Sequence, residues 1–173
     1  MIVWINGAFG VGKTTTARQM AELRPELRLF DPEWVGYLLT SQLQGIDVAD
    51  FQDLPAWRDL VPRVARHVAD ISGQHLVAVQ TVLDEQYWTE LGDGLNRRDL
   101  GVFQVVLDAD EQALRTRILS DDDERSAQRW RLDHLAPYAA ARPWLLRAAD
   151  LVVDTTAVPP DEVARRIVAA LPA

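Results

Sequence analysis

The strongest constraint on the fold is a glycine-rich stretch at residues 7–14, with the sequence Gly-Ala-Phe-Gly-Val-Gly-Lys-Thr. It follows a short apolar run over residues 2–6 and precedes a helical pattern over residues 14–23. The stretch matches G-x-x-x-x-G-K-[S/T], in which glycines let backbone N–H groups point inward around phosphate oxygens. The sequence therefore predicts a strand, a phosphate-binding loop and a helix in succession.

Each part of this loop has an expected role in binding ATP with Mg²⁺. The Lys13 ammonium reaches the β- and γ-phosphates, and the Thr14 hydroxyl is offered to the metal. Thr15 follows in the first helical turn, where its hydroxyl or N–H can reach the α-phosphate. We therefore expect a run of nine residues to contact the nucleotide: Gly7, Ala8, Phe9, Gly10, Val11, Gly12, Lys13, Thr14 and Thr15.

Lys13 is the single lysine among 18 basic residues, and the other 17 are arginines. The Asn-Lys-x-Asp stretch by which GTPases identify guanine needs a second lysine, so the sequence favours ATP. The slim ammonium also fits inside a tight backbone loop, whereas the broad planar guanidinium of arginine does not. The position therefore indicates a steric requirement.

Five short apolar runs alternate with helical patterns along the chain, and they lie at residues 2–6, 27–30, 76–79, 102–107 and 151–153. Continuous apolar runs are typical of strands that are buried on both faces. Strands that alternate with helices indicate a parallel sheet of the α/β class. We expect a single domain over residues 1–173.

Composition excludes several other kinds of protein. The chain has no cysteine, which excludes disulfides and thiolate metal sites. Its net charge of −8 argues against nucleic acid as a partner. No apolar run approaches the roughly 20 residues of a membrane-spanning helix, so a cytoplasmic protein is expected. Monomer and homodimer both stay open.

Arginines flank an acidic run at residues 121–124, and this pattern predicts a lid over about residues 117–131. Phosphoryl transfer needs arginines that neutralise developing charge. We assign this role to Arg117 and Arg125, and we also place Arg117 at the edge of the nucleotide site. The alternative for each arginine is a solvated helix face.

Two segments that follow strands complete the expected nucleotide and acceptor sites. Asp154 and Thr155 follow the fifth strand, where they contact the base or form a plain turn. Asp31 ends the second strand, where it accepts a proton from a substrate hydroxyl or caps the next helix. The third strand ends in Gln80-Thr81, which lacks the usual aspartate, so either residue can hold a metal-bound water or contact substrate.

The chain resembles the tunicamycin-resistance protein family. The resemblance is carried by Trp-Ile-Asn-Gly-Ala-Phe-Gly at 4–10, Asp-Pro-Glu at 31–33, Asp-Phe-Gln at 50–52 and Pro-x-Trp-Arg at 55–58. It implies a three-layer, nucleotide-kinase-like sandwich with strand order 2-3-1-4-5 and ATP on the 7–14 loop. It also implies a substrate cleft bounded by Asp31, the 50–58 segment and Gln80.

The resemblance suggests a nucleoside-type antibiotic such as tunicamycin as the small-molecule substrate. Phe51 and Trp57 would stack on its base and Arg58 would fix a polar group, although a tryptophan on a helix is more often part of the core. Two functions follow as expectations. One is an ATP-dependent phosphotransferase to a substrate hydroxyl, and the alternative is ATP-dependent sequestration without chemical modification.

Overall fold

A parallel sheet of five strands forms the centre of the molecule, in a computed structural model that describes residues 1–121 and 125–172. The strand order is 2-3-1-4-5, and every neighbouring pair is parallel. This confirms the predicted α/β class and strand order. The strands are β1 (Ile2–Gly7), β2 (Leu27–Phe30), β3 (His75–Val79), β4 (Val102–Asp108) and β5 (Leu151–Asp154).

Helices connect the strands and cover both faces of the sheet. They are α1 (Lys13–Leu23), α2 (Glu33–Gln42), α3 (Pro55–Ser72), α4 (Glu85–Asn96), α5 (Glu111–Ser120), α6 (Gln128–Asp133), α7 (Leu135–Ala148) and α8 (Pro160–Ala170). Short 3-10 turns lie at Phe51–Asp53 and Arg125–Ala127. Helices α6 and α7 follow each other directly and meet at His134.

Strand β1 is buried along its whole length, and its side chains alternate between two cores. Val3 and Ile5 pack with residues of α1, α7 and α8 on one face. Ile2 and Trp4 pack with residues of α3 and α4 on the other face. Burial on both faces explains the continuous apolar runs in the sequence.

Because all five strands are parallel, their carboxyl ends share one edge of the sheet, and the loops at that edge bring distant residues together. The 7–14 loop lies at the end of the central strand, between the ends of β3 and β4. Among the residues that the structure describes, no helix is long and apolar enough to cross a membrane.

Candidate nucleotide and substrate site

The 7–14 loop curls tightly because two of its glycines lie against neighbouring elements. A Cβ atom on Gly7 would lie 2.3 Å from the Leu107 carbonyl oxygen, and one on Gly10 would lie 2.9 Å from Ile118 Cγ1. Gly12 has a φ of 96°, yet a Cβ there would meet nothing within 4 Å. The loop is therefore tightly packed underneath and open at the glycine that precedes the lysine.

Lys13 folds back into the loop. Its Nζ donates to the carbonyl oxygens of Gly7 at 2.9 Å and Ala8 at 2.8 Å, and it lies 5.2 Å from the centroid of the Phe9 ring. Burial and then the Arg131 charge lower the pKa of Lys13 to about 7, against the opposing effect of Glu33. Backbone oxygens thus hold the Lys13 Nζ inside the loop, next to the space where phosphate is expected.

The first turn of α1 presents hydroxyl groups next to this lysine. Thr14 and Thr15 are exposed, whereas Thr16 is buried. The exposed Thr14 hydroxyl is therefore accessible to a cation bound to the phosphates. The helix also begins at the loop, so its N-terminal N–H groups face the same space.

Arg117 ties α5 to the loop after β5. Its guanidinium donates to the Thr155 carbonyl oxygen at 2.6 Å, to Thr155 Oγ1 at 3.2 Å and to the Thr156 carbonyl oxygen at 3.1 Å. The Thr155 hydroxyl in turn donates to the Val11 carbonyl oxygen at 3.3 Å. Arg117 and Thr155 thus lie beside the phosphate loop.

Asp154, the last residue of β5, shapes the same turn. Its Oδ1 accepts a hydrogen bond from the Thr156 N–H at 2.8 Å. Hydrogen bonds from Thr156, with smaller contributions from the Arg142 and Arg117 charges, hold the pKa of Asp154 below its ordinary value. Asp154 is therefore ionised at neutral pH and fixes the backbone that follows it.

Helix α6 lies over the phosphate loop through aromatic contacts. The Trp130 ring meets the Phe9 ring edge-on at 4.8 Å, and the His134 ring lies 4.0 Å from Trp130. Arg131 Nη1 pairs with Asp121 Oδ2 at 2.8 Å, and its charge acts on Lys13. Of the acidic run at 121–124, residues 122–124 lie outside the described residues.

Sequence reasoning named Arg117 and Arg125 in this region but missed Arg131. Arg125 is exposed in the 3-10 turn before α6. Nothing in the spacing separates Arg131 from its neighbour Arg129, because helix α6 has only six residues and no long periodic pattern. The adjacent Trp130 was the available signal, since tryptophan and arginine are both enriched at binding surfaces.

On the acceptor side, Asp31 is exposed directly after β2. Its Oδ1 accepts from the Glu33 N–H at 2.9 Å, which is the capping contact that the sequence left open. Glu33 begins α2, accepts from the Tyr37 hydroxyl at 2.9 Å and raises the pKa of Lys13. The first turn of α2 therefore faces the phosphate loop, and Glu33 is a second carboxylate that the sequence analysis missed.

Trp57 lies in the core. It is 0% exposed, and its Nε1 donates to the Pro32 carbonyl oxygen at 3.0 Å. Phe51 covers Gly36 of α2 and packs on Trp57 with ring centroids 5.3 Å apart. A ring without exposed surface cannot stack on a substrate base. Trp57 is therefore a core residue, and the expectation that it stacks on the substrate is wrong.

Arg58 is also directed to protein partners. Its guanidinium is buried and pairs with Glu90 Oε2 at 2.6 Å. It also donates to the Gln52 carbonyl oxygen and lies 4.0 Å from the centroid of the Tyr87 ring. These contacts join the 51–53 turn to α4. The Arg58 side chain therefore supports the wall of the cleft, where the sequence expected it to hold a polar group of the substrate.

The end of β3 is bonded to the phosphate loop. The Thr81 hydroxyl donates to the Gly7 carbonyl oxygen at 2.9 Å, and Gln52 Nε2 donates to the Thr81 carbonyl oxygen at 3.0 Å. Gln80 is 6% exposed, and its Oε1 is buried without a hydrogen-bond partner among the described residues. Asp84 caps α4 by accepting from the N–H groups of Gln86 and Tyr87.

A cleft of about 470 Å³ adjoins the 154–156 turn, and sequence reasoning missed it. At its base, Asp108 accepts from the Tyr138 hydroxyl at 2.8 Å and from Arg142 at 2.5–3.0 Å. Burial would raise the pKa of Asp108, but these hydrogen bonds outweigh it and keep the pKa below its ordinary value. Both partners lie on α7, at least thirty residues away in sequence, and no motif joins them.

A strand, a tight glycine loop with its lysine, and a parallel sheet in this order define a P-loop nucleotide-binding protein with a kinase-like fold. The chain belongs to the AAA domain family (AAA_33), which matches residues 2–130. No curated protein matches the chain.

Solved structures agree with this assignment. The tunicamycin resistance protein of Deinococcus radiodurans is 28% identical, with a TM-score of 0.74, and the match covers 97% of this chain and 93% of that one. The predicted resemblance is thereby confirmed.

Two further structures share the fold at lower identity. The APS kinase of Mycobacterium tuberculosis, in complex with AMPPNP and APS, is 21% identical with a TM-score of 0.70 over 98% of this chain and 95% of that one. A gluconokinase from Sinorhizobium meliloti is 18% identical with a TM-score of 0.67 over 97% and 89%.

Proposed function

We propose that this protein is an ATP-dependent phosphotransferase that acts on a hydroxyl of a small molecule, a nucleoside-type antibiotic such as tunicamycin. One observation carries the proposal. Lys13 folds back into the glycine loop at the end of the central strand, and the charges of Glu33 on α2 and Arg131 on α6 both act on its pKa. Transfer of a phosphoryl group from one bound molecule to another needs cations around that group and a carboxylate beside the acceptor.

The nucleotide side fits ATP. The space at Gly12 is open, Lys13 folds back into the loop, and the exposed Thr14 hydroxyl would bind Mg²⁺. Arg117 and the 154–155 segment would hold the base end. ATP supplies the transferred phosphoryl group, and the loop N–H groups and Lys13 bind and orient its phosphates.

The segment 117–131 is the proposed lid. Trp130 rests on Phe9, so movement of α6 would bring Arg131 toward the transferred group or away from it. Arg125 lies in the same segment and is exposed. Such closure would bring Arg131 next to Lys13 around the transferred phosphoryl group only when substrates are bound.

On the acceptor side, Asp31 would orient the substrate hydroxyl and accept its proton. Its carboxylate is exposed, and the contact to the Glu33 N–H fixes its direction. Phe51 and Gln80 would line the neighbouring wall, which Arg58 supports from behind. Within this scheme Glu33 adds negative charge that keeps Lys13 protonated as the acceptor site fills.

A second candidate function, ATP-dependent sequestration of the antibiotic, is favoured by the end of β3. A neutral Thr81 bonded to Gly7 stands at that strand end, where a metal-holding aspartate is usual. Among the described residues, no group of three or more metal-ligating side chains is present. Without an aspartate at the end of β3, Mg²⁺ would be held by Thr14, the phosphates and water, and this arrangement would suit binding of the antibiotic better than transfer to it.

Two measurements on one mixture separate these functions. The protein is incubated with ATP, Mg²⁺ and tunicamycin, and ADP release and the mass of tunicamycin are followed. Transfer gives tunicamycin-dependent ADP and a product heavier by one phosphoryl group, whereas an unchanged mass with measurable binding indicates sequestration. Asp31→Asn should abolish transfer and keep ATP binding, and the exposed Glu22→Gln on α1 is the matched control.

A further inference from the structure

A groove of about 330 Å³ lies between α4 and α7, above the start of β4. Residues of α4 line it from Glu85 to Asn96, Trp144 of α7 forms the opposite wall, and Gln104 of β4 lies at its base. The groove shares no lining residue with the phosphate loop, the 31–58 side or the 154–156 turn. It is therefore separate from the site proposed for phosphoryl transfer.

Two glycines of α4 differ in a way that bears on this groove. A Cβ on Gly94 would lie 2.8 Å from Pro62 Cγ, so the packing of α4 on α3 explains that glycine. A Cβ on Gly92 would meet nothing within 4 Å, and Gly92 lines the groove. Glycine in a helix interior is unfavourable, and here the effect of its missing side chain is to widen the groove.

Gln104 provides a second, independent observation. It is 2% exposed, and its backbone N–H donates to Asp150 Oδ2 at 2.7 Å. Its side-chain Nε2, however, is buried without a hydrogen-bond partner among the described residues. A buried amide that lacks a partner is costly, and one that lines a groove can obtain its partner from the molecule that the groove holds.

The other lining groups restrict the chemistry of that molecule. Trp88 and Trp144 supply aromatic surface, and Asp93 and Asp150 supply carboxylates. No lysine or arginine is among the described lining residues, so phosphorylated or carboxylated ligands would be repelled. An ammonium group would suit the carboxylates but has no lone pair for Gln104 Nε2.

A hydroxyl group both donates and accepts, and it meets both demands. We propose that the groove binds a neutral polyhydroxylated small molecule, such as a sugar. Its hydroxyls would accept from Gln104 and donate to Asp93 and Asp150, and its C–H face would pack on Trp88. The volume lies at the lower end of that typical of small-molecule sites.

The test is a titration of the full chain, without nucleotide, followed by ¹H–¹⁵N NMR of the Gln104 side-chain amide and the Trp88 indole N–H. Glucose and N-acetylglucosamine are the neutral probes, and glucose 6-phosphate and spermidine are the charged ones. We expect saturable shifts of both signals at millimolar concentrations with the neutral probes alone. Absence of such shifts, or tighter binding of either charged probe, would overturn the proposal.

Variants at Gly92 locate the binding. Gly92→Leu fills the groove and should weaken the neutral sugars by about tenfold or more, whereas Gly92→Ala should stay within about twofold of the unchanged protein. Gln104→Met keeps the volume but removes the amide, so it should give a similar loss and serves where Gly92→Leu does not fold. Sugar binding that is unchanged in a folded Gly92→Leu or Gln104→Met variant would place the ligand elsewhere.

Discussion

The phosphate loop and the 50–58 segment both carry conspicuous sequence motifs, yet their side chains do different things. In the loop, Lys13 folds back onto the Gly7 and Ala8 carbonyl oxygens, the space at Gly12 is open, and the neighbouring Thr14 is exposed. In the 50–58 segment, Trp57 and Arg58 are buried and bonded to protein atoms. The first motif presents groups to a ligand, whereas the second holds the wall of a cleft in place.

The largest effect that would test this contrast is on stability. Trp57→Ala removes a fully buried indole and its hydrogen bond to Pro32, so unfolding should become easier by about 3–5 kcal/mol. Trp34→Ala, at a tryptophan that is 70% exposed, should change stability by less than about 1 kcal/mol. Chemical denaturation measures both. Near-normal stability of Trp57→Ala with loss of tunicamycin binding would restore a substrate role for Trp57.

The next largest effect concerns the loop, where charge alone should not suffice. Lys13→Arg keeps a cation, but its guanidinium is too broad for the space between the Gly7 and Ala8 carbonyl oxygens. We expect ATP affinity to fall at least about 100-fold, or about 2.7 kcal/mol, in calorimetric titration. The Arg18→Lys change on the same helix is the control and should leave affinity unchanged. Normal affinity of Lys13→Arg would refute the steric argument.

The contrast also explains what the sequence could reveal. The phosphate loop consists of consecutive residues, so the sequence of residues 7–14 is enough to predict its function. Continuous apolar runs between helical patterns likewise identify the strands of a buried parallel sheet. Arg131, Glu33 and the contact of Asp108 with Arg142 depend on how separate helices meet at the sheet edge. No spacing in the sequence encodes those meetings, which is why they were missed.

The 50–58 motif shows the opposite difficulty. Its residue types suit stacking and polar recognition as well as they suit a core, because aromatic rings and guanidinium groups serve in both places. Only the three-dimensional position decides, and Trp57 packs beneath Phe51 against the Pro32 carbonyl. A motif of large side chains on a helix therefore predicts structure more securely than it predicts contact with substrate.

A smaller effect is expected at the base end of the nucleotide side. Arg117→Ala removes the hydrogen bonds to the Thr155 and Thr156 carbonyl oxygens, and the turn they fix should loosen. ATP affinity should fall about tenfold, which corresponds to about 1.4 kcal/mol. Arg115→Ala, whose guanidinium pairs with Glu111 on the exposed face of α5, is the matched control. Equal effects in titrations of the two variants would argue that Arg117 has no specific role.

The smallest effect follows from the titration of Lys13. Its pKa of about 7 in the free protein results mainly from burial, and phosphate oxygens beside the ammonium should raise it. ATP binding above pH 7 should therefore take up protons, because the free lysine is mostly neutral and the bound lysine is charged. Between pH 7 and pH 8 the protonated fraction of free Lys13 falls about fivefold, and we expect ATP affinity to fall by the same factor.

Calorimetry in buffers of different ionisation enthalpy gives the number of protons taken up on ATP binding directly. His134→Ala should keep this dependence, although the His134 ring lies beside the loop, with its centroid 5.5 Å from that of Phe9. Loss of the dependence in that variant, or affinity that is constant over this pH range, would transfer the titration from Lys13 to another group.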